Sequence, residues 1–177
     1  MKRLKRFTDS VARAGIAALV VSGCAYAAGV RINTTKSIPV GLYLTSNAQV
    51  AKGAYVLFCP PHNEMFTMAK ARGYIGAGFC PGGYGYLMKR ILAAKNDIVV
   101  IDEAGVRVNG ELLPFSVPRR VDSAGRALPH FHVEHYRLGD DELLLMSDVS
   151  GTSFDGRYFG PVDRSQIKTV ILPVMTL

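Results

Sequence analysis

The chain has 177 residues, 49% of them apolar and 20% charged, a balance that fits one folded domain and excludes an intrinsically disordered chain. Most of its net charge of +7 lies in residues 1–13, where Lys2, Arg3, Lys5, Arg6 and Arg13 face only Asp9. Elsewhere the charges are interspersed, so no nucleic-acid partner is expected, and three cysteines are too few for a disulfide-stapled miniprotein.

From Ala14 to Val30 no charge occurs, and Arg31 closes the run. A basic start followed by an apolar stretch is the pattern of an export signal or a membrane anchor. As a helix the stretch is about 26 Å long, at the short end for crossing a bilayer. Three readings stay open: an uncleaved anchor, cleavage at Ala25-Tyr26-Ala27, or lipidation of Cys24 in Val21-Ser22-Gly23-Cys24. Each divides the chain into an export or anchor segment, 1–31, and a domain, 32–177, outside the bacterial inner membrane. The positive flank favours an N-terminus in the cytoplasm. The domain is therefore expected at the periplasmic face, or free in the periplasm if the segment is removed.

Beyond residue 32, short runs rich in Val, Ile, Leu and Tyr alternate with Gly, Pro, Asn and Asp, which predicts a mainly β fold. Strands are expected over 40–45, 54–59, 84–93, 97–101, 105–108, 133–138, 142–147 and 166–172. Asn109-Gly110, between Val106-Arg107-Val108 and Glu111-Leu112-Leu113, predicts a two-residue hairpin. One helix is expected over 63–72, with Asn63 as its cap. Two excursions leave the sheet: glycine-rich Pro60–Gly85, and Pro114–Pro129, whose Arg119-Arg120 reads as part of a solvated loop. Facing an oxidising periplasm, Cys59 and Cys80 are expected to pair across such an excursion; the alternative is two buried free thiols.

Three segments carry chemistry. Pro39 disfavours helix at Ile38 and Gly41 lets the chain turn, so Ser37 is expected on an extended, exposed segment. If Tyr84–Leu92 is a strand, Lys89 shares a face with Leu87 and Ile91 while Arg90 points the other way. An amine among apolar neighbours is shifted toward its neutral form, which can accept a proton from a serine hydroxyl. Ser153, Asp155 and Arg157 alternate, as if on one side of an extended chain, with Ser153 suited to orient the lysine and an Asp155–Arg157 pair to brace the site. His130, His132 and His135 lack matching acidic or thiol ligands nearby, so neither metal nor cofactor is expected.

In this order, these segments resemble the boxes of the type I signal peptidases, membrane-bound Ser/Lys proteases. Ser37-Ile38-Pro39 is similar to the nucleophile box, Lys52-Gly53-Ala54-Tyr55-Val56 to the strand that follows, Lys89-Arg90 to the general-base box, and Ser153-x-Asp155-x-Arg157-x-x-Gly160 to the last box. The resemblance implies a coiled antiparallel sheet or β barrel with small inserted loops behind one apolar helix. It also implies Ser37 as nucleophile, Lys89 as base, and Thr35 with the Ser37 backbone N–H as oxyanion donors. Asn33–Gly41, Lys52–Pro61 and Gly73–Pro81 further resemble the branch that serves conjugative plasmid transfer. That branch implies a pilin precursor as substrate, head-to-tail joining of the pilin, and other pilus-assembly proteins as partners. The last box opens here with Ser147-Asp148-Val149 where housekeeping members have Gly-Asp-Asn. Alternatives are general removal of leader peptides, or a non-catalytic envelope protein of pilus assembly.

Overall fold

The computed structural model describes residues 2–177, with side chains from residue 9 onward. Helix α1 (Lys2–Ala27) contains a 19-residue stretch, Asp9–Ala27, long and apolar enough to cross a membrane, and none of it is buried against the rest of the chain. Gly29 ends the helical path at φ 90, where a side chain would meet the Thr45 hydroxyl. Strand β1 (Val30–Asn33) follows at once. Val30 and Arg31, expected in the N-terminal segment, therefore belong to the domain: past the glycine break they pair with Leu44 and Tyr43.

The chain continues through β2 (Gly41–Ser46), β3 (Tyr55–Phe58), α2 (Glu64–Ala71), β4 (Ala77–Cys80) and β5 (Leu87–Ala93). After these come β6 (Ile98–Asp102), β7 (Gly105–Val108), β8 (Glu111–Leu112), β9 (Val133–Arg137) and β10 (Glu142–Met146). A one-turn helix α3 (Gly156–Phe159), β11 (Val162–Asp163) and β12 (Ile167–Thr176) complete it. Two antiparallel sheets result, one in the order β1-β2-β12-β3-β5-β10-β11 and one in the order β8-β7-β6-β9. The fold is mainly β behind one apolar helix, as expected.

Each expected strand has its counterpart. The predicted hairpin turns at Asn109 and Gly110, both at positive φ, and pairs Val108 with Glu111. Asn63 caps α2 by accepting from Phe66 N at 3.1 Å. Strand β12 outruns its expected end because Pro173 is accommodated at a register shift against β2. Strand β10 reads as an unbroken apolar run because both of its faces are buried. Leu144 and Met146 pack with Val99, Ile101 and Val106, whereas Leu143 and Leu145 pack with Val56, Phe58 and Ile91.

The first excursion holds a small core of its own, with Phe66, Ala69, Ile75 and Tyr84 around a disulfide between Cys59 and Cys80. Phe154 and Phe159 pack against it from the far end of the chain. The second excursion is a surface loop in which Arg120 pairs with Glu103 and Arg126 with Asp122.

Candidate active site

Ser37 lies in the turn between β1 and β2. It is half-buried and the chain there is bent, not the extended, exposed segment expected. Asn33 supplies the reason: its Nδ2 donates to the carbonyls of Thr35 (2.8 Å), Ile38 (2.9 Å) and Pro39 (3.1 Å), folding the segment onto itself. Ile38, with no exposed surface, plugs the turn into a cluster with Tyr43, Leu57 and Ile171. Tyr43 clamps the far side, its hydroxyl donating to Pro39 O at 2.6 Å. Gly41 is required because β12 crosses there, where a Cβ would lie 2.0 Å from Met175 O.

Lys89 comes from β5, in the middle of the large sheet, opposite Val56 of β3. Its side chain is 2% exposed. Burial, which penalises the ammonium, holds its pKa down at about 8; Asp155 opposes the shift and Arg157 adds to it. The amine donates to Ser153 Oγ at 2.6 Å. A neutral amine so held keeps a lone pair free for a second partner. Arg90 points to the other side, as expected, where it joins Asp148 at 2.9 Å. Tyr55 donates to the same carboxylate, and its phenol is pushed up to about 12 by burial and by Asp148.

Asp155 and Arg157 are fully buried. They are not on an extended chain: Asp155 caps α3, and the period-two spacing falls on a cap and a helical turn. The pair is bidentate, Nε to Oδ1 at 2.8 Å and Nη2 to Oδ2 at 3.0 Å. Asp155 also accepts from Ser147 N, while Arg157 donates to the carbonyls of Phe115, Ser150 and Gly151. This ion pair ties the second excursion and the loop after β10 behind Ser153.

These elements converge on one cleft of about 360 Å³, lined by Thr35, Ser37, Tyr86, Lys89, Ser153 and Phe154. Ser37 Oγ lies 2.6 Å from Thr35 Oγ1, and Lys89 bonds to Ser153, so the two side chains face one cavity with separate partners. Catalytic hydrogen bonds are often open in substrate-free sites. Thr35, expected to donate to an oxyanion, has its hydroxyl on Asn33 Oδ1 at 2.9 Å. The sequence reading missed Asn33 and the Tyr55–Arg90–Asp148 cluster. Asn two residues before a Thr is a loop-bending signal that pointed to the first. Among the described residues no group of His, Cys, Asp and Glu is arranged to hold a metal.

The model of the family "Signal peptidase, peptidase S26" matches residues 4–175. A plasmid transfer protein TraF of Escherichia coli is 66% identical over 173 residues, covering 98% of this chain and 97% of that one. A conjugal transfer protein TraF of Agrobacterium fabrum is 35% identical over 167 residues, covering 92% of this chain and 93% of that one. Among solved structures, a signal peptidase I from Enterococcus faecalis V583 aligns with a TM-score of 0.41 and 16% identity, covering 72% of this chain and 100% of that one.

Proposed function

The chain belongs to the peptidase S26 family of signal peptidases, and we propose that within it this protein is a membrane-anchored serine peptidase of the conjugative apparatus, maturing a pilin precursor through a Ser37/Lys89 acyl-enzyme. The observation that carries the proposal is the buried lysine, held near neutrality at a shared cleft with Ser37. The names of the relatives, plasmid and conjugal transfer proteins, support the conjugative setting.

The chemistry follows from the groups at hand. Ser37 Oγ attacks the scissile carbonyl while Lys89 Nζ takes its proton. The oxyanion is met by the Ser37 backbone N–H and by Thr35, once its hydroxyl turns from Asn33. The C–N bond then breaks, Lys89 gives its proton to the leaving amine, and an acyl ester remains on Ser37. Attack by water yields a free carboxylate; attack by an amine yields a new amide, closing a ring if the amine is the substrate's own N-terminus. A hollow of about 320 Å³ that shares Tyr74, Thr152 and Phe154 with the cleft offers room for that second segment. Helix α1 would keep the domain at the periplasmic face of the inner membrane, where a pilin precursor and other assembly proteins would meet it.

The test is mass spectrometry of the candidate pilin after exposure to wild-type protein and to Ser37→Ala. Cyclisation yields a product lighter by one water than the linear processed chain, and Ser37→Ala leaves the precursor intact. A linear product supports hydrolysis alone. Full processing by Ser37→Ala overturns the nucleophile and leaves the assembly role as the reading.

A further inference from the structure

Asn33 is 4% exposed and every polar atom of its side chain is engaged. Its orientation is fixed by groups that have one role only. The Thr35 backbone N–H, which can only donate, lies 3.1 Å from Oδ1. Three backbone carbonyls, which can only accept, surround Nδ2. The oxygen therefore faces Thr35, and the Thr35 hydroxyl at 2.9 Å must donate to it. A hydroxyl has one proton. With that proton spent on Asn33, Thr35 Oγ1 accepts at its 2.6 Å contact, so the Ser37 hydroxyl donates to Thr35.

We propose that Asn33 is the positioning residue of the nucleophile, holding the turn that carries Ser37 and setting the direction of a hydroxyl chain from Ser37 through Thr35 to itself. The inference rests on Ser37 being the nucleophile. The chain keeps the Ser37 proton away from Lys89, whose amine rests on Ser153. Attack then needs the Ser37 hydroxyl to leave Thr35 and meet the Lys89 lone pair, with the turn still holding the backbone that carries it. The carbonyls of Thr35, Ile38 and Pro39 bracket Ser37 on both sides, so loss of the amide frees the backbone that carries the nucleophile.

The full-length protein in detergent, treated with p-nitrophenyl acetate, tests this without a pilin. Ser37 Oγ forms the new C–O bond, nitrophenolate leaves with the electron pair, the serine proton passes to Lys89, and the acetyl group is located by peptide mass spectrometry. The rate constant is read apart from the amplitude, because unfolding lowers the amplitude whereas mispositioning lowers the rate constant. Asn33→Ala is expected to slow acetylation of Ser37 about 100-fold, the scale of a nucleophile displaced by an ångström. Its pH midpoint stays that of the wild type, because Lys89 is untouched. Thr35→Val, which removes both the link to Asn33 and an oxyanion donor, is expected to slow it at least about tenfold. Asn33→Ser, smaller yet polar, replaces the alanine variant should that one not fold. A wild-type rate constant in the Asn33 variants overturns the inference alone. Absence of Ser37 acetylation in the wild type overturns the nucleophile reading and this inference with it.

Discussion

A lysine in water has a pKa of 10.5, so at neutral pH almost none of it can accept a proton. Lys89 is brought to about 8 by its burial in the large sheet. Two measurements follow from that value. Processing should rise tenfold per pH unit in the acid range and level off above an apparent pKa near 8, because only the neutral amine accepts the Ser37 proton. Stability should move in the same direction. Between the unfolded and folded pKa values the unfolded chain binds a proton that the folded site refuses, so stability falls as pH drops from 10.5 to 8 and then holds level. The shift corresponds to roughly 3 kcal/mol. Lys89→Met should be inactive and lack this component. The comparison is the difference between the two melting profiles, in which the titration of Tyr55, shared by both proteins, cancels. A rate that stays flat across this range, with chemistry rate-limiting, removes Lys89 as the base.

At the scale of elements, the Pro60–Gly85 excursion forms one wall of the cleft through Tyr74 and Gly76, yet holds neither Ser37 nor Lys89. Its disulfide closes a separation of 21 residues, a constraint worth about 3 kcal/mol if unstrained. The double substitution Cys59→Ala, Cys80→Ala should lower the melting temperature and raise KM for a pilin peptide more than it lowers kcat. A fall in kcat at unchanged KM would make the excursion part of the catalytic machinery instead. The same elements explain what was legible beforehand. Strands with alternating burial or a diagnostic turn, such as β7 and β8 around Asn109-Gly110, declared themselves locally. Strand β1 did not, because its apolar residues run on from α1 and only Gly29 separates them. Strand β4 lies in a glycine-rich stretch and bridges only to Tyr84, so no periodicity marks it. The alternation of Ser153, Asp155 and Arg157 imitates a strand where a capped helical turn stands. Ser37 and Lys89, singled out by motif and neighbours, line one cleft. Asn33 carries only a local loop-bending signal, because its hold on the turn arises when the chain folds three carbonyls back onto it.

At the scale of the whole molecule, the cleft borders an apolar face of the large sheet. Val30, Leu44 and Leu172 are cross-strand partners along β1, β2 and β12, so they share a face, and Ile32 follows Val30 on it. Ile32, Leu44 and Leu172 are exposed, and Ile32 also lines the cleft. A soluble domain gains nothing from such a face, whereas one held against a bilayer by α1 can lay it on the lipid and present the cleft to a substrate in the membrane. Each large apolar side chain leaving water contributes roughly 1.5–3 kcal/mol, so this face alone should bind reversibly. A chain lacking residues 1–28 should therefore remain folded and float in part with vesicles of phosphatidylethanolamine and phosphatidylglycerol. Leu172→Asp in the same truncated chain should stay in solution. The substitution lies on an exposed strand position far in sequence from Ser37 and Lys89, so cleavage of a soluble pilin peptide should be unchanged. In the full-length protein it should slow processing of a membrane-inserted precursor several-fold. Truncated protein that ignores vesicles at low salt and at high salt alike would remove this face as a lipid contact.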